Sequence, residues 1–181
     1  MQKNDRKKII LIGIMSYYAK QIFDETKLYE FRKSPIKDEL LNEKIYVYSA
    51  KDDKAIIGYF KVSDILQGNT QQIMQLTGYD KRPDGNEIVQ YYGQNNPRCF
   101  ALKVYDVTEF DEALTLKQMR SVYPDVDMPQ YLKFIYENNP LYDLITEWDT
   151  AFSSDGSSLP ENSEKEKSFM LQKAKENKRR R

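Results

Sequence analysis

The run from Ile9 to Met15 is apolar at every position but Gly13, and it restricts the possible folds more than any other stretch. Seven such residues are too few to cross a membrane, and a strand without polar alternation needs cover on both faces. No small-residue cleavage site follows at Tyr17 and Tyr18, so the run is read as a buried first strand and not as the core of a signal peptide. Ser16 then offers an N-cap, and Tyr18, Ala19, Ile22 and Phe23 recur at helical spacing. The spacing predicts a helix from Tyr17 to about Glu25, with its apolar stripe against the first strand.

That helix feeds the most informative octapeptide of the chain, Thr26-Lys27-Leu28-Tyr29-Glu30-Phe31-Arg32-Lys33. As a strand from Leu28 onward, it sends Tyr29, Phe31 and Lys33 to one face and Leu28, Glu30 and Arg32 to the other. Lys27 stands at the corner, from which its ammonium can reach the Glu30 and Arg32 face. Two cations and one anion then share a patch. Such a patch is either a set of cross-strand ion pairs or the floor of a site.

The chain contains no histidine, which removes the commonest general base, the Ser-His and Cys-His nucleophile pairs and every His-containing metal site. Cys99 is the single cysteine, so neither an internal disulfide nor a thiolate zinc site can form, and a reducing, cytoplasmic setting is expected. No motif calls for a cofactor or a metal. Basic and acidic residues balance at 28 each, but unevenly: residues 1–152 carry 20 basic and 23 acidic side chains, and the remaining 29 carry 8 and 5. A polyanion would therefore meet its longest-range attraction at the C-terminal tail.

Downstream, Glu43 to Ala50 and Ala55 to Leu66 read as two strands joined by the charged turn Lys51-Asp52-Asp53-Lys54. In the first, Tyr46 and Tyr48 share a face; in the second, Gly58 signals a bulge or a close backbone approach. Asn69 to Gly78 and Asp84 to Gly93 form a helical insert, and Arg98 to Phe110 returns to strand composition. There Lys103 interrupts an apolar alternation, either as a snorkelling rim lysine or as a cation inside a ligand cleft. A short helix or turn at Leu114 to Met119 and a loop from Tyr123 to Pro129 follow. The segment starting at Pro129-Gln130-Tyr131-Leu132 is a candidate to close a barrel, and Tyr136 to Phe152 reads as an amphipathic helix. The domain is thus expected to span residues 1–152. Residues 153–181 read as a disordered linker and a basic tail able to make non-specific polyanion contacts.

Lys27, Glu30 and Arg32 fill the K, E and R of G-x-K-x-x-E-x-R, the helix-to-strand signature of the ASCH domain, which the chain resembles from about Ile9 to about Ile135. The ASCH domain is a branch of the PUA-like RNA-binding superfamily. Ile56-Ile57-Gly58-Tyr59-Phe60, Tyr91-Tyr92, Cys99-Phe100-Ala101-Leu102 and Met128-Pro129-Gln130-Tyr131 extend the likeness, the last resembling a motif of the PUA-like transcriptional regulators. The chain departs from the pattern in three places: Glu25 stands at the signature glycine, and Met15 and Ser16 replace a basic residue and a proline at the preceding junction.

The resemblance implies an α+β, PUA-like mixed β-barrel with a helix between its first two strands, a helical insert and a C-terminal helix. It also implies an RNA or nucleotide partner for a cationic cleft, with Lys27 and Arg32 on phosphate or base and Glu30 as acceptor. Tyr48 and Lys103 are added as candidate contacts, and Tyr17, Tyr18, Tyr29 and Tyr46 as stacking surfaces. An RNA-processing hydrolase would use Lys27 and Glu30 as acid and base, although acetylcytidine amidohydrolases of the family carry threonine where Glu30 stands. A protein-binding adaptor with a vestigial cleft is the third reading. No membrane partner is expected.

Overall fold

The computed structural model describes residues 6–153 and 163–180. The apolar run forms β1 (Lys8–Met15), and its alternate side chains enter two different cores. Ile10, Ile12 and Ile14 pack beneath α1 (Ser16–Phe23), against Ala19 and Ile22. Ile9 and Leu11 pack on the other side beneath α5 (Pro140–Phe152), whose Leu141, Leu144, Ile145, Trp148 and Phe152 fill that core. Burial on both faces, at about 1.5–3 kcal/mol for each large apolar side chain, is what a strand without polar alternation requires.

β1 runs parallel to β3 (Ile45–Ala50) and antiparallel to β6 (Leu132–Tyr136). β3 turns through Lys51–Lys54 into β4 (Ala55–Gly68), β4 pairs with the long β5 (Cys99–Thr115), and β5 carries β2 (Tyr29–Arg32) on its far side. The order is β2-β5-β4-β3-β1-β6, a six-stranded mixed sheet. Gly58 marks both a register shift and a close approach: a Cβ there would lie 2.1 Å from the Thr108 carbonyl oxygen. The mixed α+β architecture is as expected, but among the described residues no strand pairing closes the sheet into a barrel. β2 and β6 are the ends of the ladder, and a side chain bridges part of the gap instead, the Arg32 guanidinium donating to the Gly13 carbonyl at 3.0 Å.

The insert between β4 and β5 comprises α2 (Thr70–Thr77) and α3 (Gly85–Tyr92). Asn69 and Gln72 form a capping box at the start of α2, and Gly78 at φ 77° ends it. Ile73, Tyr79, Ile88 and Tyr92 bury the aromatic face of β2 at Phe31, so β2 holds α3 beside the charged face. Asn139 caps α5 through the Leu141 N–H, and Pro140 occupies its first position. The helix expected from Tyr136 therefore starts later: Tyr136 is the last residue of β6, and residues 137–139 form the turn between strand and helix.

The expected linker falls mostly on residues 154–162, which lie outside the described residues. Beyond it, where the composition predicts a disordered basic tail, α6 (Ser163–Arg180) packs against α5 and α4 (Leu116–Val122), burying Ala174. Lys167 pairs with Glu112 at 2.8 Å and Lys173 with Glu147 at 2.6 Å. The body's acidic excess thus holds part of the tail's positive charge. No helix among the described residues is long and apolar enough to cross a membrane.

Candidate functional site

The site begins at the turn that ends α1. The Glu25 N–H donates to the Ile22 carbonyl at 3.0 Å and the Thr26 N–H to Gln21 at 2.9 Å, the two bonds of a Schellman turn, with Glu25 left-handed at φ 57°. Glu25 occupies the position where the resembled signature has glycine, and the corner keeps its shape without it. A side chain in that conformation costs on the order of 1 kcal/mol. Glu25→Gly is therefore expected to stabilise the protein by roughly 0.5–1 kcal/mol, read as a higher urea midpoint. A lower midpoint would mean that the glutamate side chain itself stabilises the turn. Ser16 does not cap α1. It is the first helical residue, and its hydroxyl donates to the Ala50 carbonyl and accepts from Ser49, tying α1 to the β3–β4 turn.

The turn delivers Lys27 to Glu30 as the alternation predicts. The Lys27 ammonium binds Glu30 Oε2, and the Arg32 guanidinium binds Oε1 at 2.8 Å. Lys27, Glu30 and Arg32 are 7%, 5% and 8% exposed, so this is a buried ionic triad rather than a solvated strand face. The Lys27 ammonium also lies 5.6 Å from the Tyr18 ring centre and 5.4 Å from that of Phe31. Arg32 donates to Glu30 and to the Gly13 carbonyl, but its buried Nε has no acceptor. An orphan donor of this kind costs about 1–3 kcal/mol and marks a place where a ligand atom or water fits.

The triad floors a cleft of about 770 Å³. Tyr18 walls it from α1, Glu87, Gln90 and Tyr91 from α3, and Gln130 and Tyr131 from the loop before β6. That loop is seated by Gly13, whose N–H donates to the Tyr131 carbonyl at 2.8 Å. A Cβ on Gly13 would lie 1.9 Å from the Pro129 carbonyl oxygen, so only glycine permits the crossing. Lys27 and Arg32 face Glu30 and Glu87, which leaves the cleft without the expected excess of positive charge. Burial, followed by the Glu87 carboxylate, raises the Tyr18 hydroxyl above the usual tyrosine range. Burial likewise raises Tyr91, against the opposing charge of Arg32.

The remaining sequence candidates lie elsewhere. Tyr46 and Tyr48 are buried in the core under α5, where the Tyr46 hydroxyl donates to Asp149 at 2.7 Å. Lys103 is exposed on β5, in register with Tyr29 of β2. Glu87, Gln90, Tyr91, Gln130 and Tyr131 are the residues that spacing did not assign to the site. Tyr91 and the Pro129-Gln130-Tyr131 segment carried a signal in the family resemblance, but nothing local placed them beside β2.

In its fold the chain is similar to solved ASCH structures. The structure resembles that of ASCH from Zymomonas mobilis, with a TM-score of 0.65 and 20% identity over 80% of this chain and 95% of that one. A tyrosine-to-phenylalanine variant of the same Zymomonas protein gives 0.66 and 19%, over 81% of this chain and 100% of that one. A serine-to-alanine variant gives 0.66 and 21%, over 82% and 99%. No protein-family model and no curated protein matches the sequence. At this level of identity the likeness shows the fold.

Proposed function

We propose that this protein is a cytoplasmic, PUA-like RNA-binding module that receives one unstacked nucleotide in the cleft above Lys27, Glu30 and Arg32. The observation that carries the reading is the combination of a buried, charged floor with the aromatic walls Tyr18, Tyr91 and Tyr131. Single-stranded RNA is recognised by stacking splayed bases on aromatic rings and hydrogen-bonding their edges, and this cleft offers both. Because cations and carboxylates balance at its floor, the cleft suits a base edge better than a phosphate. Each Glu30 oxygen already holds a cation, an arrangement that suits holding a ligand in place better than acting on its bonds, which favours binding over hydrolysis.

Tyr91 and Tyr131 are 37% and 64% exposed, so truncating them removes stacking surface, and because Tyr91 also packs edge-on against Tyr92 its loss costs some stability. Tyr91→Ala/Tyr131→Ala is expected to weaken binding of a short single-stranded RNA by at least about fivefold, at about 1–3 kcal/mol per stacked base, in a protein that circular dichroism shows to be folded at the assay temperature. Fluorescence polarisation checks the affinity. Undiminished binding by the double variant would remove the aromatic walls from the binding surface.

A further inference from the structure

A second cavity of about 260 Å³ lies on the other side of Arg32, and Arg32 and Tyr131 line both spaces. Its charge differs from that of the main cleft. Arg32, Lys33 and Lys37 surround it with a single carboxylate, Glu39, which Lys8 engages at 3.0 Å. Ser34 adds a hydroxyl at the rim, while Ile12, Ile36, Leu40, Leu132 and Phe134 supply an apolar wall. The Lys33 ammonium lies 4.9 Å from the Tyr91 ring centre, so it stands between the two spaces.

These features divide the chemistry of a nucleic-acid strand. The main cleft balances its charges and is walled by tyrosines; the second cavity carries an excess of positive charge over an apolar wall. Between them sits Arg32, only 8% exposed, whose Nε lacks an acceptor. A strand with one base in the main cleft must send its next phosphate past Arg32 or away from the protein. Among the described residues, Arg32, Lys33 and Lys37 supply the cationic surroundings on that path. Resting on the RNA-binding reading above, we infer that the second cavity is the phosphate-and-ribose subsite for the adjoining nucleotide. The minimal ligand filling both spaces is then a dinucleotide step. Lys33 and Lys37 hold its phosphate, Arg32 is shared between base and phosphate, and the ribose rests on Ile36 and Phe134.

Two measurements on the full chain test this. In the first, Lys33→Gln/Lys37→Gln and wild type bind a labelled short single-stranded RNA across a salt series. Both lysines are exposed, so the variant folds as wild type does. Affinity is expected to fall about tenfold and the slope of log K against log salt to become shallower by roughly 0.7 for each phosphate no longer neutralised. In the second, inorganic phosphate is titrated into wild type, with backbone amide shifts expected at Lys33, Ser34, Ile36 and Lys37. RNA binding with the same affinity and slope in both proteins overturns the subsite and leaves the RNA reading intact. RNA binding by neither protein, with phosphate shifting those amides, overturns the RNA reading and retains an anion site. Phosphate without effect on those amides overturns the subsite as well.

Discussion

Replacing Glu30 by alanine is expected to destabilise the protein by about 3–5 kcal/mol, because it leaves two buried cations facing one another without a carboxylate. In a domain of this size that corresponds to a fall in melting temperature on the order of 10 °C. The reason lies in the triad's burial. A surface pair would be worth no more than about 1 kcal/mol, and its loss would pass almost unnoticed. Glu30→Gln should fall between wild type and alanine, since an amide oxygen still accepts from one cation. Replacing all three residues together, as Lys27→Met/Glu30→Leu/Arg32→Met, should recover most of the lost stability, because apolar groups of similar volume match or exceed a buried ion network. Thermal and urea unfolding of the three variants decide the matter. A Glu30→Ala protein as stable as wild type would mean that the triad is open to water and is not the buried floor described above.

The second large effect belongs to Gly13→Ala. A Cβ there meets the Pro129 carbonyl oxygen at 1.9 Å and its carbon at 3.0 Å, both backbone atoms that cannot rotate aside. Overpacking of this kind costs about 1–3 kcal/mol, and the expected value is at the upper end because backbone must move. The displacement has a functional consequence. Gly13 donates to the Tyr131 carbonyl and accepts from Arg32, so one methyl group disturbs the loop that walls the cleft and the cation that floors it. Urea unfolding and RNA affinity measured on the same variant should both fall. Loss of stability with full RNA affinity would show that the Gln130 and Tyr131 wall takes no part in binding.

How much could be read from the chain depended on how local each feature is. The corner triad was legible because a helix end and a period of two residues follow one another within residues 23–33, and the structure brings Lys27, Glu30 and Arg32 together as that alternation requires. β1 was legible because an apolar run admits only double-sided burial. Tyr48 illustrates the limit. The alternation of β3 separates a tyrosine face from an aliphatic face, but which of them meets the cleft depends on α5, which lies about a hundred residues later and covers the tyrosines. The walls were hidden for the same reason. Tyr91 reaches the cleft because Phe31 anchors the insert, and Tyr131 because a loop crosses β1 at Gly13; both are long-range packing events with no local period. The basic tail shows the converse: its composition predicts disorder, but Met170, Leu171 and Ala174 pack against a core that α4 and α5 help to build.

RNA binding as proposed requires that the strand enter the cleft and depend on its charged floor. Fluorescence polarisation of a labelled short single-stranded RNA against the full chain tests both, comparing wild type with Lys27→Met/Glu30→Leu/Arg32→Met after circular dichroism has confirmed that both are folded. Wild type is expected to bind, with affinity falling as salt rises, and the triple variant to lose at least about tenfold. Equal binding by the two proteins, or no binding by wild type, would contradict the proposal.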